Sequence, residues 1–353
     1  MDITPYLKLM VQKNASDLYL TVNSQVKIKL EGQAVPVGKT SLTEDMTREA
    51  AYGIMNDRQI AEFEENMESD FAIAMPDGSA RFRVNVFRQR GDVGMVLRLI
   101  PSKIPTVDGL GLPEILTDII MAKRGLVLMV GGTGSGKSTT LAAMINHRNM
   151  NAAGHILTIE DPVEFSHPNL KSIVNQREVG VDTHSYQNAL KSSLREAPDV
   201  ILIGEIRDRE TMEAGMELSN TGHLAVSTLH ANNANQALER IINMFPQVSH
   251  KQLFMDLSLN LKSIISQRLV QSIDGGRVAA IEILINTPHM AELILKGEVG
   301  EVKEAMETSG AKGMVAFDAA LYQLYKDGKI TMDEALANAD SKTNLEAKIN
   351  FGE

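Results

Sequence analysis

The stretch Leu126–Thr139, which reads LVLMVGGTGSGKST, decides the fold. It begins as a short apolar run typical of a buried strand and passes into a glycine-rich turn that ends in Lys137-Ser138. From Gly131 to Ser138 it matches the phosphate-loop pattern G-x-x-x-x-G-K-[ST]. The pattern requires a strand before the loop and a helix after it, and we predict that helix over Thr139–Arg148. The sequence therefore favours a P-loop domain over a glycine-rich turn that binds nothing.

This loop is predicted to bind phosphate through its backbone. Glycines let the chain curl so that successive N–H groups converge on one anion, and the start of the following helix adds partial positive charge. In such a loop the lysine, here Lys137, reaches the β- and γ-phosphates and acts in catalysis, while the Ser138 hydroxyl binds Mg²⁺. We therefore expect ATP and Mg²⁺ as cofactors. The residues predicted to bind the nucleotide here are Gly132, Thr133, Gly134, Ser135, Gly136, Lys137, Ser138 and Thr139.

Composition and charge narrow the class of protein. At 353 residues the chain is long for a single core, so two domains are expected. Its 43% hydrophobic residues and net charge of −10 indicate a soluble protein, and we expect no nucleic-acid partner. Because the sequence contains no cysteine, disulfides and thiolate zinc sites are excluded. With neither a secretory signal nor a membrane-length apolar run, a cytoplasmic location is expected.

A smaller α+β domain is predicted at residues 1–100. One of its strands, RFRVNVF, has a two-residue period that places Arg81 and Arg83 on one face, and the next strand adds Arg98. Arginines on a sheet face indicate either a solvated surface or an anion-binding surface. The residues alone leave both explanations open.

The rest of the chain is predicted to be an α/β domain. Residues 101–113 contain three prolines and two glycines and are predicted to be the interdomain linker. Over residues 114–353, strands that alternate with helices indicate a parallel sheet, which binds ligands at the carboxyl ends of its strands. A helical C-terminal region follows, and we interpret its apolar stripe at Phe317, Leu321, Leu324 and Tyr325 as packing rather than as a docking face.

Two acidic residues are candidates for metal binding and catalysis. Glu205 follows the apolar strand Val200–Ile203, the Walker B type of position, and is expected to hold Mg²⁺ through water; the alternative is a solvated acid. Glu164 is our candidate for orienting or deprotonating the attacking water, with Glu160 as the second choice. The alternative for these acids is that they cap a helix after Pro162.

Two histidines, His223 and His230, bracket a predicted strand. We do not infer a paired metal site from them. By its position after the strand, His230 is predicted to sense the γ-phosphate. A hydrogen-bonded structural histidine is the alternative for both.

Several motifs together resemble one superfamily, that of the secretion and type IV pilus ATPases. Within it the chain resembles the type IV pilus retraction ATPase family (PilT/PilU) from end to end, from NASDLYLT to GMVAFDAAL. The segment HANNANQALERI is more similar to the PilU type than to the PilT type. The motifs that carry the resemblance are GGTGSGKST, TIEDPVEF, NQREVGVDT, LREAPDVILIGEIRDRET and TGHLAVSTLHANNANQALERI.

The resemblance implies a fold and an assembly. Members of the family have a PAS-like N-terminal domain followed by a RecA-like P-loop ATPase domain, with ATP between the two, and they form hexameric rings. Matching the motifs residue by residue makes Glu164 the catalytic glutamate and Glu205 the Walker B glutamate. The other implied residues are the histidine-box residues His223 and His230, and arginines that approach the nucleotide, here Arg81, Arg83 or Arg98.

The resemblance also implies a function, an ATP-hydrolysing motor that powers or assists type IV pilus retraction and twitching motility. Its implied partners are identical subunits, a paralogous retraction ATPase and an inner-membrane pilus platform protein, at the cytoplasmic face of that membrane. A pilus extension or type II secretion ATPase is disfavoured because those enzymes commonly carry a four-cysteine zinc motif. A weakly catalytic, nucleotide-bound scaffold is a further alternative.

The chain departs from the family pattern at one place, directly after His230. Retraction motors usually have a threonine and a serine there, whereas this chain has Ala231-Asn232-Asn233. Whether the chain drives retraction alone or assists a paralogue therefore stays open.

Overall fold

A computed structural model describes residues 1–30, 32–100 and 103–352. The chain forms two units: residues 1–103 together with Glu164–Ser166, and residues 104–163 together with the chain from His167 onward. Of the predicted linker, Pro101 and Ser102 lie outside the described residues. Residues 104–113 belong to the second unit, with Val107 and Leu112 buried in its core. The domain boundaries at 100 and 114 stay a prediction.

The first unit is an antiparallel sheet with helices, as the alternation of its sequence predicted. Its elements are α1 (Thr4–Lys13), β1 (Asp17–Leu20), β2 (Gln25–Leu30), β3 (Gln33–Ser41), α2 (Glu44–Tyr52), α3 (Asp57–Asn66), β4 (Glu68–Ala74), β5 (Arg81–Gln89) and β6 (Asp92–Ile100). The strands lie in the order β3-β2-β1-β6-β5-β4. Along β5, Phe82, Val84 and Val86 are fully buried, so this face of the sheet forms the core.

The second unit alternates strands with helices and continues into a helical C-terminal region. Its elements are α4 (Ile115–Ile120), β7 (Gly125–Val130), α5 (Lys137–Asn151), β8 (Gly154–Glu160), β9 (Ser172–Glu178), α6 (Tyr186–Ser193), β10 (Val200–Ile203), α7 (Arg209–Asn220), β11 (Leu224–Leu229), α8 (Ala234–Asn243), α9 (His250–Asn260), β12 (Leu261–Gln271), β13 (Arg277–Ile285), α10 (Pro288–Lys296), α11 (Val302–Thr308), α12 (Phe317–Lys326), α13 (Met332–Asn338) and α14 (Lys342–Phe351). Short 3₁₀ turns lie at Asp108–Leu110, Gln247–Ser249 and Val299–Glu301.

The sheet of the second unit has the strand order β13-β12-β7-β11-β10-β8-β9. All neighbouring pairs from β12 to β9 are parallel, and only β13 runs antiparallel, alongside β12. Every residue of β7, β10 and β11 is buried, as expected for central strands covered by helices on both faces. The predicted parallel sheet is therefore confirmed, and its strands bring their carboxyl ends to one edge.

The C-terminal helices cover the antiparallel end of this sheet. Phe317 and Leu321 of α12 are buried together with Val270 of β12 and Ala280 of β13. The prediction that the apolar stripe serves packing is thus confirmed. Within the described ranges, no helix has both the length and the apolar character that a membrane crossing requires.

Candidate functional site

The phosphate loop connects the carboxyl end of β7 to the start of α5, the arrangement that the sequence predicted. The helix begins at Lys137, and its N-cap residue Gly136 has a left-handed φ of 86° and offers no capping side chain. Ser138 and Thr139 occupy the first turn of the helix. The N–H groups of a first helical turn have no partner within the helix, so this end is suited to an anion.

Two glycines of the loop are required by close packing beneath it. A Cβ on Gly131 would lie 2.5 Å from the Gln267 carbonyl oxygen and 2.5 Å from Ser135 Oγ. A Cβ on Gly136 would lie 2.7 Å from Gln267 Nε2. At Gly132 and Gly134, by contrast, no described atom lies within 4 Å of that position. The loop is therefore pressed against β12 on one side and open on the other, as a cradle for a phosphate must be.

Gln267 supports the loop from below. Its Nε2 donates to the Ser135 carbonyl oxygen at 2.8 Å, and its Oε1 accepts from Thr140 Oγ1 at 2.8 Å. The side chain is buried, so both bonds are shielded from water. Gln267 was not predicted from the sequence, because the strand β12 that carries it was not predicted. No local pattern identifies it, since its partners lie more than 120 positions away.

Lys137 lies across the loop that it follows. Its Nζ donates to the carbonyl oxygens of Gly131 and Gly132, both at 2.8 Å. Thr133 is exposed on the same loop, whereas Ser135 is buried and its Oγ has no hydrogen-bond partner among the described residues. The positive charge of Lys137 is thus held beside the loop by the carbonyl oxygens of its first two glycines.

Glu205 follows β10 at the same edge of the sheet. Its Oε1 accepts a hydrogen bond from Arg207 Nη2, and the residue is half-buried. The hydrogen bond from Arg207 lowers the pKa of Glu205, with His230 and Lys137 adding smaller effects, against the opposing effect of burial. Glu205 is therefore a carboxylate at neutral pH, as binding of a metal cation requires. Arg207 was missed by the sequence analysis, although it stands two residues later in IGEIRDRE.

The histidines lie at opposite ends of β11. His230 follows the strand, and its Nε2 lies 3.6 Å from Glu205 Oε2. His223 precedes the strand, and its Nδ1 lies 3.1 Å from both the Leu218 carbonyl oxygen and Thr221 Oγ1. The structure thus brings His230 to Glu205 and leaves His223 at the opposite edge of the sheet, where it joins a helix end to a strand.

A half-buried tyrosine, Tyr186, lies near Glu205. Burial raises the pKa of Tyr186 well above its ordinary value, and Asp161 and Glu205 raise it further, so the phenol stays protonated. A Cβ on Gly204 would lie 2.6 Å from the Tyr186 hydroxyl oxygen. The glycine before Glu205 therefore lets the hydroxyl group approach the end of β10. Sequence spacing gave no sign of Tyr186.

A cleft of about 400 Å³ lies next to the loop. It is bounded by the first glycines of the phosphate loop, by the segment after β11 and by α8. Its lining residues are Gly131, Gly132, His230, Ala231, Asn232, Gln236, Glu239, Arg240 and Asn243. The cleft shows that His230 and the loop face a common space.

The predicted arginines lie in the first unit. Arg83 of β5 pairs directly with Arg98 of β6, and Arg81 lies two residues along the same face, opposite the buried core face. Arg98 is exposed, and its Nε donates to Oδ1 of the buried Asp17 at 2.8 Å. The predicted clustering of the three arginines on one sheet face is confirmed, and Arg98 has a structural partner that the sequence did not reveal.

The two candidate water-directing acids have different surroundings. Glu160 Oε1, at the end of β8, accepts hydrogen bonds from Thr158 Oγ1 at 2.6 Å and Gln176 Nε2 at 3.1 Å. Glu164 is exposed and belongs to the first unit. The structure has no helix over residues 161–171, so the alternative that these acids cap a helix after Pro162 is wrong.

The protein side chains at this site are suited to a magnesium ion only if a bound ligand supplies further coordinating oxygens. Over the described ranges, no three His, Asp or Glu side chains are grouped so as to hold a metal ion by themselves. Mg²⁺ is typically held by one or two protein oxygens, with waters and substrate phosphates completing its coordination. Ser138 at the start of α5 and the ionised Glu205 are protein oxygens of this kind.

Comparisons with known proteins agree with this architecture. PilU of Pseudomonas aeruginosa, described as a type IV pilus ATPase, is 54% identical over 353 residues, which is 100% of this chain and 92% of that protein. PilT of Pseudomonas aeruginosa, a type IV pilus retraction ATPase, is 43% identical over 345 residues, covering 98% of this chain and 100% of PilT.

The similarity extends from the sequence to the three-dimensional fold, as a solved structure shows. The crystal structure of the pilus retraction motor PilT with bound ADP superposes with a TM-score of 0.91 at 40% identity, covering 98% of this chain and 99% of that one. The predicted fold class is therefore confirmed: a RecA-like P-loop ATPase domain preceded by a smaller α+β PAS-like domain. Residues 1–277 match the model of the Type II/IV secretion system protein family, and the chain belongs to that family.

Proposed function

We propose that this chain is an ATP-hydrolysing motor that powers or assists type IV pilus retraction. One observation carries the proposal: the phosphate loop with Lys137, the ionised Glu205 and His230 all follow parallel strands at one edge of the second unit's sheet. Phosphoryl transfer to water needs positive charge, a metal ion and a positioned water, and it needs little covalent chemistry from the protein. The likeness to PilU and PilT supplies the biological process.

In this proposal the nucleotide's phosphates bind to the loop residues 132–139. Lys137 neutralises charge on the outer phosphates, and Ser138 and Glu205 hold Mg²⁺, which stabilises the charge that develops on the phosphate oxygens. His230, 3.6 Å from Glu205, contacts the γ-phosphate side of the site. ADP in the PilT crystal structure supports nucleotide binding.

The remaining predicted residues complete the proposal. Glu164 orients or deprotonates the attacking water, and one or more of Arg81, Arg83 and Arg98 approach the nucleotide's γ-phosphate. Arginines that favour one arrangement of a protein only while a γ-phosphate is bound convert its loss into movement. Hydrolysis would remove the γ-phosphate, and with it the preference for the arrangement that nucleotide binding had favoured.

We further propose that the chain assembles as a homo-hexamer at the cytoplasmic face of the inner membrane. There it would act on a pilus platform protein, alone or beside a paralogous retraction ATPase. The departure from the motor pattern at Ala231-Asn232-Asn233 supports the assisting role. A nucleotide-bound scaffold is the second candidate, and the presence of Lys137, Glu164 and Glu205 speaks against it.

Steady-state ATP hydrolysis by purified full-length protein tests the enzymatic part. We expect turnover in wild type that is lost in Glu205→Ala and retained in Glu217→Ala, a control on the exposed face of α7. Turnover no higher in wild type than in Glu205→Ala would leave the scaffold candidate standing.

The biological role is tested by deleting the gene and scoring twitching and surface piliation. Hyperpiliation without twitching would mean an indispensable retraction motor, and retained twitching with altered piliation would mean an assisting one. Unchanged twitching and piliation would contradict a role in retraction.

A further inference from the structure

The segment directly after His230, residues 231–234, is held from two sides. Asn233 Oδ1 accepts from the Gln236 N–H at 2.9 Å and so caps α8. The Ala234 N–H donates to Glu282 Oε1 at 2.7 Å, and the same oxygen accepts from Ser266 Oγ at 2.8 Å. Glu282 is buried, so these two bonds fix the start of α8 against β12 and β13.

The second attachment leads to the C-terminal helices through Arg268. Its Nη2 donates to the Asn232 carbonyl oxygen at 3.2 Å and to Asp340 Oδ1 at 2.6 Å. Its Nη1 donates to the Asn338 carbonyl oxygen at 2.6 Å, and its guanidinium carbon lies 4.0 Å from the ring centroid of Phe317. Charge-assisted bonds together with a cation–π contact fix the orientation of the guanidinium group.

Asp340 is hydrogen-bonded to a residue of each attachment, Asn233 and Arg268. Besides Arg268, it accepts from Asn233 Nδ2 at 3.2 Å, and Lys303 Nζ lies 3.8 Å away. Asp340 itself is held at the start of α14, where its N–H donates to Asp318 Oδ1 at 2.7 Å. The carboxylate is 11% exposed, so solvent screens these interactions little. We call Asn233, Arg268 and Asp340 the Asp340 network.

The network connects the segment after His230 to the C-terminal helices. The match to the family model ends at residue 277, whereas the likeness to PilU extends over the whole chain. Asn233 belongs to the short segment in which the sequence departs from the motor pattern. Because Asn232 and His230 line the same cleft as the phosphate loop, a shift of this segment changes the wall of that cleft.

We propose that Asp340 is a positioning residue for the nucleotide site: through Arg268 and Asn233, the C-terminal helices set the place of residues 231–234 and thereby of His230. The proposal rests on the proposed ATPase function. Its physical basis is that a catalytic contact displaced by an ångström slows a reaction strongly while the ground state still binds. None of the hydrogen bonds described for Asn233, Arg268 and Asp340 reaches the phosphate loop directly.

The test compares three full-length variants. Asp340→Asn removes the charge at nearly constant size. Asn233→Ser keeps a good N-cap for α8 but is too short to reach Asp340. Glu346→Gln removes the same charge from an exposed site on α14 and serves as the control.

We expect Asp340→Asn to lower kcat roughly tenfold, with the KM for ATP and the Kd for ADP within about twofold of wild type. Asn233→Ser should lower kcat in the same direction, and Glu346→Gln should match wild type. Amide hydrogen exchange over residues 230–241 should quicken in Asp340→Asn and stay unchanged in Glu346→Gln. Melting temperatures measured in parallel identify a variant that fails to fold, in which case Asn233→Ser decides.

The proposal is overturned if kcat stays at the wild-type value, or if kcat falls only in proportion to weakened ADP binding. If the wild-type chain itself showed no turnover, the proposed function would fail separately, and unchanged exchange in Asp340→Asn would then also refute the positioning role.

Discussion

Among single residues, Arg207 lowers the pKa of Glu205 through a hydrogen bond. A glutamate whose pKa is lowered in the folded protein contributes stability above its unfolded pKa, near 4.5, and this contribution is lost as the pH falls through the lower folded pKa. Removing Arg207 leaves burial as the main influence, and burial raises the pKa. The acidic limit of turnover should therefore depend on Arg207.

We predict that Arg207→Ala moves the acidic limb of the pH–kcat profile to higher pH. The measurement is kcat from about pH 4 to pH 7, near the range in which carboxylates titrate. Arg209→Ala removes the same charge from a pair with Glu213 on α7 and should leave the limb in place. Coincident limbs for wild type and Arg207→Ala would show that Arg207 does not set the acidic limit of turnover.

The three arginines of the first unit differ in their ion pairs within the protein. Arg98 pairs with the buried Asp17, whereas Arg83 has no ion pair among the described residues. We predict that Arg98→Ala lowers turnover with nucleotide binding largely intact and also lowers the melting temperature, since a buried carboxylate loses a donor. Arg83→Ala should lower turnover alone. A wild-type rate in either variant would remove that arginine from the site.

Among the elements, the phosphate loop depends on its contact with β12. Gly131 has a φ of 153° and no space for a Cβ beside the Gln267 backbone, whereas Gly132 has open space. We predict that Gly131→Ala lowers the free energy of unfolding by about 2–4 kcal/mol, from backbone strain and overpacking. Chemical denaturation without nucleotide checks this, with Gly132→Ala as the control. Equal stability of the two variants would contradict the packing argument.

The predictability of each element follows from the kind of interaction that holds it. Strands β7, β10 and β11 are continuous apolar runs because they are buried on both faces, so the sequence predicted them well. Strand β12 was missed because it carries Ser266, Gln267 and Arg268. Their polar groups are satisfied by distant partners, among them Ser135, Glu282 and Asp340, which no local pattern can show.

The site residues that directly follow a recognisable apolar strand were also predictable from the sequence. Lys137 and Glu205 lie at fixed offsets from recognisable strands, and His230 follows the strand after them. Arg207 needed only attention to the two residues after Glu205. Gln267, Tyr186 and Asp340 needed the fold itself, because each approaches the site from another part of the chain.

For the whole molecule, the proposed function requires assembly. We predict that full-length protein with Mg²⁺ and a slowly hydrolysed ATP analogue has a native mass of six 38.6 kDa chains in light scattering. Binding energy that favours the assembled state makes its population depend on nucleotide. The variant Lys137→Ala should assemble less under the same conditions. A monomer at every concentration and with every nucleotide would contradict a ring motor.

The proposed function depends on where the triphosphate of ATP binds. A crystal structure of the full-length protein with Mg²⁺ and a non-hydrolysable ATP analogue tests this most directly. We predict phosphates in the loop Gly131–Ser138, Mg²⁺ near Ser138 and Glu205, and His230 on the side of the γ-phosphate. An analogue bound elsewhere, or that loop filled by protein side chains, would contradict the account.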